Sequence, residues 1–387
     1  MNNNNKTQKL RPVKKIPKRI LLPEEKIPIW CFVLLGIFVL SLIILILALK
    51  NSSFADFFNQ KISATLRIIL AYLTNLAPFS IAEFFILMLP VVLFVVIGYA
   101  IRHKIKSWRS VFSYTVSLLS AVSLIFSLFV FVYGTGYHTP QLDEKLSLSQ
   151  EESISAEELA QTAEILIDDM NQCLWLISYE ANGASIMPYS LAEMNDKLIK
   201  AYDSLEKKYD FIQSYHSKIK PVLLSVPMSY AHFTGFYTFF TGETNLNVDF
   251  PDYTLPFTAA HELAHGRGIA RENEANFIAF LACMESTDNY IRYCGLLNMY
   301  EYIASALYQA DSEDEKPLYR QVTNLLDNRV KGELNAFSQF FEKYRNSQIS
   351  EVSGAINDTF LKVNGSEEGE KSYGLVVNLT VAYYKER

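Results

Sequence analysis

The sequence predicts three N-terminal transmembrane helices followed by a mainly α (α+β) soluble domain with a short mixed sheet. Half of the 387 residues are hydrophobic and only a fifth are charged, a balance that points to membrane segments. Three apolar runs of about 20 residues lie in the first third, each long enough to cross roughly 30 Å of hydrocarbon. The formal net charge of −6 is a sum of two opposite halves. Residues 1–133 hold 15 Lys+Arg against 4 Asp+Glu (+11), and residues 134–387 hold 20 against 37 (−17). The second half is therefore an acidic, polar segment of a size that builds its own core. With 15 Gly, 13 Pro and 4 Cys, the composition excludes collagen-like and disulfide-scaffold classes. No basic stripe survives in the acidic half, which excludes nucleic acid as a partner.

Residues 1–26 form a basic cytoplasmic leader with Lys6, Lys9, Arg11, Lys14, Lys15, Lys18 and Arg19. The anchor covers 27–133, with spans at about 27–49, 82–101 and 111–133. Pro90 inside the second span is tolerated because neighbouring groups re-satisfy the freed carbonyl. The serines of the third span hydrogen-bond to helix neighbours. No small-residue cleavage site follows Leu49, so the first run reads as a retained anchor rather than a signal peptide. Arg102, Lys104, Lys106 and Arg109 lie between the second and third spans, and the positive-inside rule places them and the leader in the cytoplasm. The chain is thus expected to be a multi-pass protein of the cell membrane, its partner the lipid bilayer, with 134–387 outside the cytoplasm. Lys61–Leu76, on the outer side, fits a short amphipathic surface helix or a plain loop.

In the outer segment, Ser155 with Glu158 three residues on marks a helix start, and Leu159, Ala163, Leu166, Met170 and Leu174 continue at helical spacing. A second helix is expected over Leu191–Tyr209. Pro221–Pro227, apolar and bounded by prolines, reads as a strand, and Phe239–Asp249 as a turn followed by a strand. From Phe257 onward the pattern is mostly helical. Cys31 is expected to be an inert residue within the membrane. Cys173, Cys283 and Cys294 allow at most one bridge, whose pairing the sequence leaves open.

The chemistry lies in His261-Glu262-Leu263-Ala264-His265, an HExxH motif. Residues four apart share a helix face, so both imidazoles reach one cation, Zn2+ for this donor set. Glu262 faces the cation's open side, where it takes a proton from a metal-activated water. Gly266-Arg267-Gly268 then breaks the helix, and a new one begins near Arg271.

The residues that follow resemble the gluzincin metallopeptidases, in which a later helix carries Glu-x-x-Ala-Asp or a close variant. By that resemblance Glu272 is the third ligand and Asn276 supports a ligating histidine. The amide stands where many such enzymes carry Asp, which weakens the polarisation of its histidine. The spacing is shorter than in most gluzincins and close to the metzincin HExxHxxGxxH, whose glycine Gly268 matches. Arg271 then falls at the metzincin third-ligand position, and a guanidinium cannot ligate zinc. Glu272 is preferred, with Glu274 as the competing ligand.

The three spans, Phe240–Asn247, Leu255–Gly268, Glu272–Phe277, Asn357–Gly365 and Ser372–Asn378 together resemble a bacterial family of membrane-anchored HExxH proteins, the domain of unknown function 3810. This resemblance implies a zincin-like metallopeptidase domain over 134–387 and brings no substrate. Zincins commonly place an edge strand before the motif helix, here Thr241–Val248, with Glu243 and Asn245 near the cleft rim. His232, Tyr237, Tyr253 and Tyr373 are candidates for transition-state stabilisation, none of them singled out. The expected function is a membrane-anchored zinc-dependent metallopeptidase acting on a peptide or protein substrate outside the cytoplasm. The alternative is a non-catalytic, zinc-stabilised envelope module that binds a peptide or cell-wall component.

Overall fold

A computed structural model describes residues 25–104, 106–149, 153–312, 315–345, 348–363 and 373–386. The basic leader up to Glu24 lies outside these residues. Apolar runs of hydrocarbon length form helices because every backbone group then finds its partner inside the segment. The first, α1, is Ile29–Lys50. Next come α2 (Ser52–Phe57), a π-helical turn (Phe58–Ser63) and α3 (Ala64–Thr74). They lead to α4 (Ile81–Tyr99) and α5 (Trp108–Val132). Ile29–Lys50, Ile81–Arg102 and Trp108–Val132 are long and apolar enough to cross a membrane, close to the expected bounds.

The spans are not a uniform bundle. α1 and α5 pack through small residues: Ser41 Oγ lies 3.3 Å from Ser127 Oγ, and Phe38 meets Phe126 edge-on at 5.4 Å. Ser120, Ser123 and Ser127 hydrogen-bond to carbonyls of their own helix, so close approach leaves these three hydroxyls paired. α4 stands apart, with only Ala82 and Glu83 buried.

The stretch between α1 and α4 is helical, and its polar face is the buried one. Arg67 is wholly buried and donates to Asn59 Oδ1 (2.9 Å), the Val132 carbonyl (2.7 Å) and Gln213 Oε1 (3.1 Å). It joins the connection, the end of α5 and the following domain. Ile68, Ile69, Tyr72 and Leu73 are exposed.

Beyond α5, a 3-10 turn (Gly134–His138) leads to α6 (Leu142–Leu146) and α7 (Ala156–Cys173). Ser155 and Glu158 form the expected capping box on α7. Leu174, read as helical, falls in the 3-10 turn that ends it. A small antiparallel ribbon pairs β1 (Ser178–Tyr179) with β2 (Ser185–Ile186). α8 spans Leu191–Glu206, behind a second capping box at Ser190 and Glu193, and stops short of Tyr209.

Next come β3 (Ile219–Pro221), α9 (Ser225–Tyr230), β4 (Gly235–Thr238) and β5 (Glu243–Leu246). The expected strand over Pro221–Pro227 is corrected: only its first residue is extended. Pro227 sits in the first turn of α9, where its missing N–H breaks no helical bond. The sheet is mixed, in the order β3-β5-β4, with β3 parallel and β4 antiparallel to β5. The expectation of an edge strand at Thr241–Val248 is also corrected, because β5 is central and fully buried. Glu243 and Asn245 are not at a rim: they hold the start of α4. Glu243 accepts from the Ile81 and Ala82 amides (3.1 and 2.8 Å), and Asn245 Oδ1 accepts from Ser80 Oγ (2.6 Å). A carboxylate there complements the unpaired amides of a helix start.

The rest is helical: α10 (Thr254–Gly266), α11 (Glu272–Glu285), α12 (Asn289–Ala310), α13 (Pro317–Leu325), α14 (Asn328–Glu342), α15 (Gln348–Val363) and α16 (Tyr373–Lys385). α11 is the hub, nearly all buried among α8, α10, α12 and α16. All four cysteines are buried free thiols, and burial pushes Cys283 and Cys294 up, which makes them unreactive.

Arg67→Ala leaves buried acceptors on Val132 and Asn59 without their donor, a loss of about 1–3 kcal/mol for each unpaired group. The full chain in detergent should therefore unfold at a clearly lower temperature, by fluorescence or calorimetry. An unchanged midpoint would show that the guanidinium does not hold the connection to the domain.

Candidate metal centre

α10 places His261 and His265 one turn apart on one face, with ring centroids 4.6 Å apart. It ends where a side chain no longer fits: a Cβ on Gly266 would lie 2.2 Å from the Tyr215 ring. The chain reverses through Gly268, at φ +88°. The Gly268 amide bonds the His265 carbonyl (2.9 Å) and the Ile269 amide the Ala264 carbonyl (3.2 Å), the pattern of a Schellman C-cap. A Cβ on Gly268 would also meet Arg67 Nη2 at 2.4 Å.

The tight reversal returns the first turn of α11 to the histidines. Glu272 Oε2 lies 3.1 Å from His261 Nε2, and its Oε1 lies 3.5 Å from His265 Nε2. One ligand atom from each of the three residues falls within 4.8 Å of the others, so the group can hold a metal ion. Glu274, the competing candidate, faces elsewhere. It accepts from Arg271 Nη1 (2.6 Å) and the Leu142 amide (3.0 Å). Arg271 also donates to the Tyr137 and Thr139 carbonyls (3.0 and 2.6 Å), clamping α11 to the segment that leaves α5.

The electrostatics favour positive charge between these side chains. Burial opposes charge on His265, but Glu272 and Glu262 outweigh it and hold the imidazolium up to about 9. Burial opposes charge on Glu272 as well, and the two imidazoles overcome it, drawing the carboxyl well below the usual range.

His265 Nδ1 lies 2.8 Å from the Ile269 carbonyl and 2.9 Å from Tyr133 Oη. A proton on Nδ1 donated to that carbonyl leaves Nε2 bare and turned to Glu272. Asn276, four residues after Glu272, is buried and lines the same cavity. Among the described residues His261 Nδ1 is buried without a hydrogen-bond partner.

Glu262 is 5% exposed. Burial pushes its carboxyl up and the Glu272 charge adds to this, while His261, His265 and the Tyr237 backbone amide pull the other way. β4 runs directly past it, since a Cβ on Gly235 would lie 3.0 Å from Glu262 Oε1. Antiparallel pairs alternate between bonded and non-bonded positions. The Asn247 amide bonds the Thr234 carbonyl and the Gly242 amide bonds the Thr238 carbonyl. Gly235 and Tyr237 therefore turn their backbone groups away from β5, toward Glu262.

The group opens into a cavity of about 950 Å³ that reaches His232, Tyr237 and Tyr253. His232, at φ +61°, binds the Tyr344 carbonyl through Nε2 (2.8 Å). The Tyr373 side chain lies outside the described residues. Sequence reasoning missed Tyr133, the first residue beyond α5, because nothing in its spacing connects it to a motif 128 residues later. The nearest available signal was the Gly134–Gly136 pair: a Cβ on Gly136 would lie 3.0 Å from the Gly268 carbonyl.

Residues 57–381 match the family described as protein of unknown function, DUF3810, and the chain belongs to that family. No curated protein and no solved structure matches it.

Two outcomes follow from this geometry. Tyr133→Phe removes a partner of the His265 imidazole and should weaken any divalent-metal affinity of the group roughly tenfold, measured by chelator competition. Gly268→Ala forces a Cβ into a left-handed residue packed on Arg67, costing about 1–3 kcal/mol. It should lower the unfolding temperature, whereas unchanged stability would mean that the reversal does not need glycine.

Proposed function

We propose that the chain is a membrane-anchored zinc-dependent metallopeptidase of the gluzincin kind, hydrolysing peptide bonds outside the cytoplasm. The observation that carries this is the placement of Glu262 between the His261–His265–Glu272 group and the outer edge of β4. Two imidazole nitrogens and one carboxylate form the donor set of a catalytic zinc site, which keeps a fourth position open. Tetrahedral ligands about 2.0–2.1 Å from zinc lie roughly 3.3 Å from one another. Glu272 meets His261 through Oε2 (3.1 Å) and His265 through Oε1 (3.5 Å), and one donor atom from each of the three residues lies within 4.8 Å of the others, close enough for a small shift to gather them on one ion.

When bound, zinc acts as a Lewis acid that polarises a carbonyl and acidifies water. The chain's own residues do the rest. Glu262 takes the proton released as water attacks the peptide carbonyl, then returns it to the departing amine. The Tyr237 amide and the His261–His265 pair favour its carboxylate form against burial. The outer edge of β4 offers the Gly235 backbone groups and the Tyr237 carbonyl to an extended peptide, while the Tyr237 amide holds Glu262, setting the peptide bond against that carboxylate.

Topology supports an outer location. Lys50, Ile81 and Val132 all lie at the domain-facing ends of their spans, whereas Arg102, Lys106 and Arg109 lie at the opposite end. The positive-inside rule assigns that opposite end to the cytoplasm.

Full-length protein should carry one zinc per chain. Glu262→Gln should keep the metal and lose hydrolysis of a peptide library by at least a hundredfold (on the order of the contribution of a general base). Glu272→Gln should lose the metal, and Glu274→Gln should retain it. Hydrolysis surviving in Glu262→Gln would rule out this mechanism. A zinc-loaded wild type that cuts no peptide would identify a binding module.

A further inference from the structure

The cavity does not end at the metal-ligating group. Its walls include Glu83 and Ile86 of α4, Phe129 of α5 and Tyr133 just beyond it, so one continuous space joins His261, Glu262 and Glu272 to the gap between two spans. Ile86 lies five residues inside α4, about 8 Å along the helix from its start. The cavity therefore reaches below the level at which the apolar spans begin.

The gap between these helices is built in. At the far end α4 and α5 touch, with Tyr114 Oη donating to the Val96 carbonyl (2.8 Å) and the Tyr99 and Tyr114 rings 6.2 Å apart. At the domain end α4 is fastened to β5 and to the segment that follows β3. Glu243 and Ser80 hold its first turn, and Glu83 accepts from the Leu223 and Leu224 amides (3.0 and 2.8 Å). Between these points α4 keeps Phe85, Ile86 and Leu89 exposed, and α5 keeps Val122 and Ile125 exposed. Apolar side chains continue on the domain side, where Leu223 is 84% exposed and Val226, Tyr230 and Phe233 also face outward. Leu224 and Phe233 line the cavity itself. A soluble peptide does not need an apolar path of this kind, and water gains nothing from one.

We propose that the substrate is a polypeptide held in the same bilayer by its own membrane-spanning segment. That segment enters sideways between α4 and α5. The chain leaving it runs extended along β4, and the peptide bond cut is just outside the hydrocarbon. This rests on the peptidase reading for the cut, but not for the entry. Two features select this occupant. The space has apolar walls at membrane depth, where a spanning helix buries its side chains without desolvating polar groups. It then passes the outer edge of β4, where the Gly235 backbone groups and the Tyr237 carbonyl are turned away from β5 and can pair with a polypeptide.

The test uses the full chain in liposomes and one peptide library in three forms: free, tethered to a lipid headgroup, and fused to a 20-residue Leu/Ala membrane segment. The fused form should be cut at least about tenfold faster than either other form, since only it is presented in the bound geometry. Equal turnover of the free or lipid-tethered form overturns the proposal. A second readout does not need catalysis: a photocrosslinking residue at Ile86 or, as control, at lipid-exposed Val95, each in the Glu262→Gln background. Capture of the fused peptide at Ile86 well above Val95 supports lateral entry even if no peptide is ever cut, in which case the peptidase reading alone fails. Equal capture at both positions overturns lateral entry whatever the turnover.

Discussion

His265 is gripped from behind by two groups of different origin. The Ile269 carbonyl belongs to the turn that ends its own helix, and Tyr133 Oη belongs to the first residue beyond a membrane span. The same few ångströms hold Asn59 Nδ2 on the Gly268 carbonyl (2.9 Å) and Arg67 on the Val132 carbonyl (2.7 Å). Arg271 grips the Tyr137 and Thr139 carbonyls nearby. The turn between the two helices that carry His261, His265 and Glu272 is thus built against the end of α5 and the connection after α1. Gly266 and Gly268 are required there because Tyr215 and Arg67 occupy the space that side chains would take.

This seam explains the unusual polarity of the segment between the first two spans. A surface helix normally buries its apolar side and shows its charges to water. Here Arg67 is buried and Ile68, Ile69, Tyr72 and Leu73 are exposed, because the polar side packs on the end of α5 and the domain while the apolar side faces outward beside the candidate spans. Burying a guanidinium is costly unless its donors find acceptors, and Val132 at the end of α5, Asn59 and Gln213 supply them for Nη1 and Nη2. Desolvation accordingly pulls the Arg67 pKa down, against nearby tyrosines.

The spans, the capping box at Ser155 and the HExxH pair were legible because each is a local pattern: an apolar run, a fixed offset, a helical turn. Glu272 was legible for a weaker reason, a short spacing matched to a known family pattern, and its place beside both histidines depends on the Gly268 reversal. Pro221–Pro227 misled because composition does not reveal that the sheet ends at Pro221 and a short helix follows. Glu243 and Asn245 misled because a central strand and an edge strand alternate alike, and only the partner α4 shows which one β5 is. Tyr133 and Arg67 were invisible for the same reason. Tyr133 reaches His265 across 132 residues, and Arg67 reaches Val132 and Gln213 across 65 and 146, and one sequence carries no trace of such pairings.

The most direct test of the seam compares metal binding by the full chain with that of a fragment beginning at Gly134. The fragment keeps His261, Glu262, His265 and Glu272 but loses Tyr133, Asn59 and Arg67. If the centre is built against the anchor, the full chain holds one tightly bound zinc and the fragment holds it far more weakly, or fails to fold. A fragment that folds and binds zinc with the affinity of the full chain would contradict this and show that the anchor is only a tether.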